Sequence, residues 1–186
     1  MSKITFLFLA TALTLLLAAV AFSATPNVEH ALVGSIEKVD KGAKTLVVKT
    51  ADGTEETVKW TERTTVRGLK GAGRAVDLAG REGEHVVVHY SVEGADKTAR
   101  AIEHLGRATP RVAEGTIKTV GKDTREVVVK TANGTEETFR LAERAAVDSA
   151  EGVARGSKLA AKEGEQVTVY YTEEAGRKIA HVIKRL

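Results

Sequence analysis

After residue 30 the chain is built of short apolar runs that alternate with polar residues, each run closed by Gly, Asp, Asn or Lys. A period of two with Val, Ile, Thr and Tyr at the repeating positions predicts strands. They fall near Val33–Asp40, Thr45–Thr50, Thr54–Trp60, His85–Ser91 and Thr98–Leu105, with a short extra strand around Thr64–Val66. A second set falls near Glu114–Val120, Glu126–Thr131, Thr135–Leu141, Gln166–Thr172 and Ile179–Leu186. Between the third and fourth strand of each set lies a stretch rich in Gly and Ala. It predicts helical turns at Asp77–Glu82 and Ser157–Glu163, with Asp77 and Ser157 as N-caps and Gly83 and Gly164 ending them in a left-handed conformation.

The two sets are copies. A shift of 81 residues aligns 34–105 with 115–186 without a gap, and about 32 of the 72 aligned positions are identical. The chain is therefore expected to hold two units, 28–107 and 110–186, joined at Arg107–Arg111. Five strands with a helical insert after the third match the element order of an OB-like Greek-key barrel. The expected fold class is all-β with short helical turns, two tandem five-stranded OB-like barrels. An SH3-like barrel tolerates the same strand count and is the alternative.

The repeated stretch "VKTADGTEETVKW" and "VKTANGTEETFRL" has Asp52-Gly53 and Asn133-Gly134 at its centre. These dipeptides favour a two-residue type I′ hairpin. That turn would set Thr50 against Glu55, Lys49 against Glu56 and Val47 against Val58, with a cross-strand ion pair repeated as Lys130–Glu137. Trp60 would share the inner face with Val47 and Val58 as a core indole. On the fourth strand Val86, Val88 and Tyr90 recur as Val167, Val169 and Tyr171 and read as the inner face. The other face has drifted from His85, Val87 and His89 to Gln166, Thr168 and Tyr170.

The first 23 residues belong to neither unit. Lys3, the apolar run Ile4–Val20 and the small residues of "AVAFSAT" have the order of a secretory signal peptide, cleaved after Ala21 or Ser23. An uncleaved N-terminal membrane anchor is the rival reading. A periplasmic or secreted protein follows, with no membrane contact after cleavage.

Each unit resembles a small repeated β-barrel domain of unknown function found in exported bacterial proteins. The resemblance lies in the glycine-led first strand, "GSIEKVD" and "GTIKTVG", then "TLVVKTADGTEETVKW" and a Thr/Val element. A "GE-x-V-x-V-x-Y" strand and a closing "K-x-A-x-x-I" complete it. The second unit departs from it at Gly121 and at Ala145-Ala146 in place of Thr64-Thr65. It implies an envelope β-barrel module and no catalytic residues.

Composition narrows the chemistry. There is no cysteine, which excludes disulfides, thiolate nucleophiles and zinc–thiolate sites. The net charge of +3 is spread through interleaved Lys, Arg, Asp and Glu. A phosphate-tracking protein would carry a basic stripe, so nucleic acid is not an expected partner. His85 and His89 share a face but lie about 13 Å apart along a strand at ~3.3 Å per residue, too far to chelate one ion as neighbours. Adjacent acids such as Glu55-Glu56 point to opposite faces, and no catalytic motif is present. No cofactor and no enzyme activity are expected. The expected role is an interaction or scaffolding module of the envelope, with an unknown envelope protein or small ligand as partner. The alternative is a periplasmic small-ligand or metal-binding protein, using outward polar groups of the first unit: Lys59, His85 and His89.

Overall fold

The computed structural model describes residues 28–69, 73–121, 124–155 and 162–186. The leader 1–23 and the expected N-cap Ser157 lie outside them. The first sheet comprises β1 (Val28–Asp40), β2 (Thr45–Thr50), β3 (Glu55–Lys59), β4 (Thr65–Arg67), β5 (Gly73–Arg74), β6 (His85–Glu93) and β7 (Asp96–Gly106). The second comprises β8 (Arg111–Gly121), β9 (Glu126–Thr131), β10 (Glu136–Ser149), β11 (Gly152–Arg155), β12 (Gln166–Glu174) and β13 (Arg177–Arg185).

Both sheets close on themselves. The order β3-β2-β1-β6-β7 is completed by a parallel β3–β7 pairing, and β10-β13-β12-β8-β9 by an antiparallel β10–β9 pairing. In each barrel the third strand runs parallel to the fifth while its neighbours run antiparallel. That crossing is the Greek-key order of an OB-like barrel, and it decides against a simple meander. Among the described residues no helix is long and apolar enough to cross a membrane.

The barrels close because their first strands bend. The first half of β1 pairs with β6 and the second half with β2, with a bulge between Ile36 and Lys38; β8 repeats this with a bulge between Ile117 and Thr119. A bulge leaves a residue outside the ladder and curls the strand. The residue just before each bulge is tied down identically in both copies. Ile36 N–H donates to the Glu84 carbonyl and its carbonyl accepts from Gly83 N–H, each at 2.8 Å. Ile117 does the same with Glu165 and Gly164. Gly83 and Gly164 reach those carbonyls at φ of +82° and +88°, the left-handed conformation the sequence implied.

Three local expectations are corrected. The hairpin has three loop residues, not two: Lys49 faces Glu55, Val48 faces Glu56, and Val58 faces Leu46. Thr50 carbonyl accepts from Gly53 N–H at 2.9 Å, and Gly53 sits at φ +85°. This is a type I turn with a glycine bulge, held by Asp52 Oδ1 accepting from Thr54 N–H at 3.1 Å. Asn133 Oδ1 does the same for Thr135 at 3.0 Å, so only the shared carbonyl-type oxygen matters. The slip by one residue exchanges faces. Leu46, Val48, Val58 and Trp60 enter the core while Val47 is only half-buried.

The slip also breaks the expected Lys49–Glu56 pair. Glu56 pairs instead with Lys97, whose ammonium lies 5.7 Å from the Tyr90 ring centre. Glu137 pairs with Lys178 at 2.8 Å, and Lys178 lies 5.4 Å from the Tyr171 ring. The recurring Glu, Lys and Tyr of the sequence pattern are thus one structural trio in each barrel. Finally, the turn after β5 is a 3-10 helix, Ala75–Leu78, whose N-cap is Arg74. Asp77 is its third residue and accepts from Arg74 N–H at 2.7 Å.

One strand is longer than expected for a chemical reason. In the first barrel Thr61 and Thr64 stop β3: Thr64 Oγ1 accepts from Thr61 N–H at 2.9 Å and donates to the Ala99 carbonyl at 2.7 Å. The second copy has Ala142 and Ala145 there, which lack those hydroxyls. Its chain runs on as the single strand β10, across a register break between Leu141 and Ala146.

Candidate functional site: the seam between the barrels

The expected inner face of β6 is inside: Val86 and Val88 are fully buried and Tyr90 packs on the same core. The other face is inside too, against the second barrel. Val87 joins Ala31, Val33, Ala146 and Val182 in a third apolar cluster, flanked by Leu105, Val153 and Tyr170. His89, expected to face outward, is only 2% exposed. The same face of β12 also meets the seam, through Tyr170, with Thr168 buried beside it, so the two copies drifted while each packed against the other.

Polar groups close both sides of this cluster. Asp148, at the far end of β10, accepts from Ala31 N–H at 3.2 Å and lies 2.9 Å from His30 Nδ1. Opposite, Glu103 of β7 lies 3.7 Å from His181 Nδ1 on β13, a charge contact longer than a hydrogen bond. His181 Nε2 is 2.9 Å from Thr172 Oγ1. Proximity to His181, with His89 and Arg144 adding, holds the Glu103 carboxyl below the usual glutamate range against the opposing effect of burial.

A cleft of about 270 Å³ opens along the seam, bordered by the β2–β3 hairpin of one barrel and by Tyr170 and Lys184 of the other. Tyr90 and Tyr170 line it, and burial followed by nearby carboxylates raises the pKa of both phenols. Both hydroxyls therefore stay protonated at neutral pH.

The three residues singled out from sequence do not converge here. Lys59 is exposed at the end of β3 and pairs with Asp96 at 2.8 Å. His85 is half-buried at the start of β6, where burial lowers its pKa and a backbone bond at Gly106 partly opposes it. His89 is in the seam. Among the described residues no three His, Asp or Glu side chains are grouped as a metal site.

Alternation along the strands does not single out His30, Asp148, Glu103 and His181. The comparison of the copies does carry a signal: at an offset of 81 they align with Arg111, Arg67, Lys184 and Arg100. Each seam residue stands against a cation in the other copy, so one barrel's outer face cannot substitute for the other's.

Acid is expected to weaken the fold. Glu103 has a folded pKa below its ordinary value of 4.5, so its contribution is present above that value and is lost as pH falls through the folded pKa. His85, whose pKa burial holds below its ordinary value of 6.5, gives a slope of the same sign at higher pH. The melting temperature should fall from pH 7 toward pH 4, and Glu103→Gln should flatten the lower part. An unchanged profile in that variant would remove Glu103 from the account.

No family model matches the chain, and no curated protein matches it. Among solved structures it is similar to Ag(I)-bound CusF, at 13% identity and a TM-score of 0.32, covering 42% of this chain and 99% of that one. Apo-CusF from Escherichia coli is 15% identical, with a TM-score of 0.32, over 44% of this chain and 95% of its own. Drosophila Unr CSD456 is 15% identical, with a TM-score of 0.32, over 84% of this chain and 61% of that one. At such identities and scores, none of these likenesses bears on what this chain binds.

Proposed function

We propose that the chain is an exported, non-catalytic interaction or scaffolding module of the bacterial cell envelope, in which two barrels joined face to face offer their remaining surfaces to a partner protein. One observation carries this reading. The distinctive residues shared by the copies, namely the bulge glycines, the Asx hairpin and the Glu–Lys–Tyr trio, all serve the barrel. Residues peculiar to one copy join the barrels at the seam. Most acids near the seam and the hairpins are engaged by Lys, Arg or His rather than paired with each other across a cleft, which is what hydrolytic chemistry would require. The leader's charge, apolar run and small residues support export.

Two measurements test this. The mature mass is expected to lack residues 1–21 or 1–23. A photo-cross-linking residue at exposed Glu55 or Lys130 is expected to give a discrete heteromeric adduct in the envelope fraction of intact cells. Full-length mass would favour the uncleaved anchor, and recovery in the cytoplasmic fraction would remove export. Absence of any adduct, with a divalent-cation thermal shift lost on His85→Ala, would favour the small-ligand alternative.

A further inference from the structure

We propose that the mouth of the first barrel is a binding site for a small oxoanion group, a phosphate, sulfate or sugar carboxylate, seated beside Trp60. A cleft of about 180 Å³ opens there, with Lys41, Lys44, Arg74, Trp60, Thr61 and Glu62 in its walls. Three cations face a single carboxylate, on a chain whose charges otherwise interleave. The volume is below that of pockets that enclose whole drug-sized ligands, typically about 300–1,000 Å³, and suits a head group.

The carboxylate shows what the cations want. Glu62 lies 2.8 Å from Lys44 Nζ, and its pKa is lowered first by that ammonium and further by Arg74. It is exposed, so an incoming anion can take its place without unburying anything. Among the walls no other acid opposes Lys41.

Lys44 is an unusual residue for its position. Its φ is +53°, a left-handed conformation that costs a non-glycine residue about 1 kcal/mol or more. The backbone needs that shape, because Lys44 carbonyl accepts the Trp60 N–H at 2.9 Å and so ties the loop to the indole-bearing residue. Glycine would do this at less cost. The ammonium is what glycine could not supply.

The second barrel is the internal control. Arg125 repeats the shape, with φ +56° and its carbonyl accepting Leu141 N–H at 2.8 Å. Its guanidinium, however, donates to the Ala142 carbonyl at 2.7 Å, so that cation is engaged by the chain itself. Leu141 stands where the first barrel has Trp60, and Ala145 where it has Thr64. The cation at this one position thus faces the cleft in the first barrel and is held by a backbone carbonyl in the second.

Trp60 is the only tryptophan, so its emission reports on this site alone. Titration of the mature protein with inorganic phosphate, at ionic strength held constant with chloride, should give a saturable change. Glu62→Gln should lower the half-saturating concentration by about fivefold, and Lys41→Ser with Lys44→Gly should raise it by about tenfold or more. Lys44→Gly keeps the left-handed turn, so loss of binding cannot be attributed to misfolding. Parallel titrations with sulfate and glucuronate identify which oxoanion is preferred. A response equal to that of chloride alone, or one that both lysine substitutions leave unchanged, would overturn the site. Neither result depends on a partner protein, so the scaffolding proposal stands or falls separately.

Discussion

Gly34→Ala is expected to destabilise the first barrel by about 3 kcal/mol or more, read as a lower denaturation midpoint at unchanged slope. The cause is proximity, not dihedral preference. Gly34, like Ser35 after it, is paired on both sides at once, with Thr50 of β2 and Val86 of β6. A Cβ there would stand 2.2 Å from the Lys49 carbonyl oxygen and 2.7 Å from Val48 Cγ1. Backbone cannot move aside without opening the β1–β2 ladder. Gly115→Ala should act alike on the second barrel, where the same Cβ would meet the Lys130 oxygen at 2.3 Å. Gly42→Ala is the contrast: its Cβ would meet only Asp40 Oδ1 at 3.5 Å, and a change within about 1 kcal/mol of zero is expected. If Gly34→Ala cost no more than Gly42→Ala, the strand would not be bent as described.

The same close approach explains why the repeated pattern opens each unit with glycine. The OB-like strand order comes from the pairings, whereas the two copies, the succession of strands along the chain and the inner face of β6 are legible in spacing and alternation alone. The hairpin register is not, because Asp-Gly and Asn-Gly serve two turns. A two-residue type I′ turn and a three-residue type I turn with a glycine bulge both accept these dipeptides, yet they set registers one residue apart. The Thr50–Asp52–Thr54 bonds that select the second are side-chain geometry and leave no periodic trace. The seam is hidden for a different reason. A pattern of alternation reports that a face is buried or drifting, not against what. His89 and Val87 have the signature of a freed outer face because their burial comes from the other barrel. The oxoanion pocket is half legible: Trp60 falls in the core as its spacing implies, yet the cations around it come from separate segments that only the closed barrel brings together.

The second large effect concerns how the two cores are filled by different residues at equivalent positions. Phe139 is fully buried, in edge contact with Tyr171 at 5.1 Å between ring centres, with Lys178 5.6 Å from its own ring. Phe139→Ala is expected to cost about 3–5 kcal/mol, the range for an aromatic removed from a packed interior. At the aligned positions the first barrel has Val58 and Trp60 where the second has Phe139 and Leu141. The smaller member of each pair sits opposite the larger one in the other copy. Val58 and Phe139 are both 0% exposed, and Trp60 and Leu141 are both 7% exposed, so the frame is the same and the bulk has moved by two residues. Val58→Phe alone should overpack by about 1–3 kcal/mol, and Trp60→Leu alone should leave a void costing about 2–3 kcal/mol. Together they restore the second barrel's pairing at these two positions, and the double variant should recover most of the loss, a coupling of about 1–3 kcal/mol in a double-mutant cycle. Additive losses would mean that the two barrels, though copied from one sequence, no longer pack around a common interior.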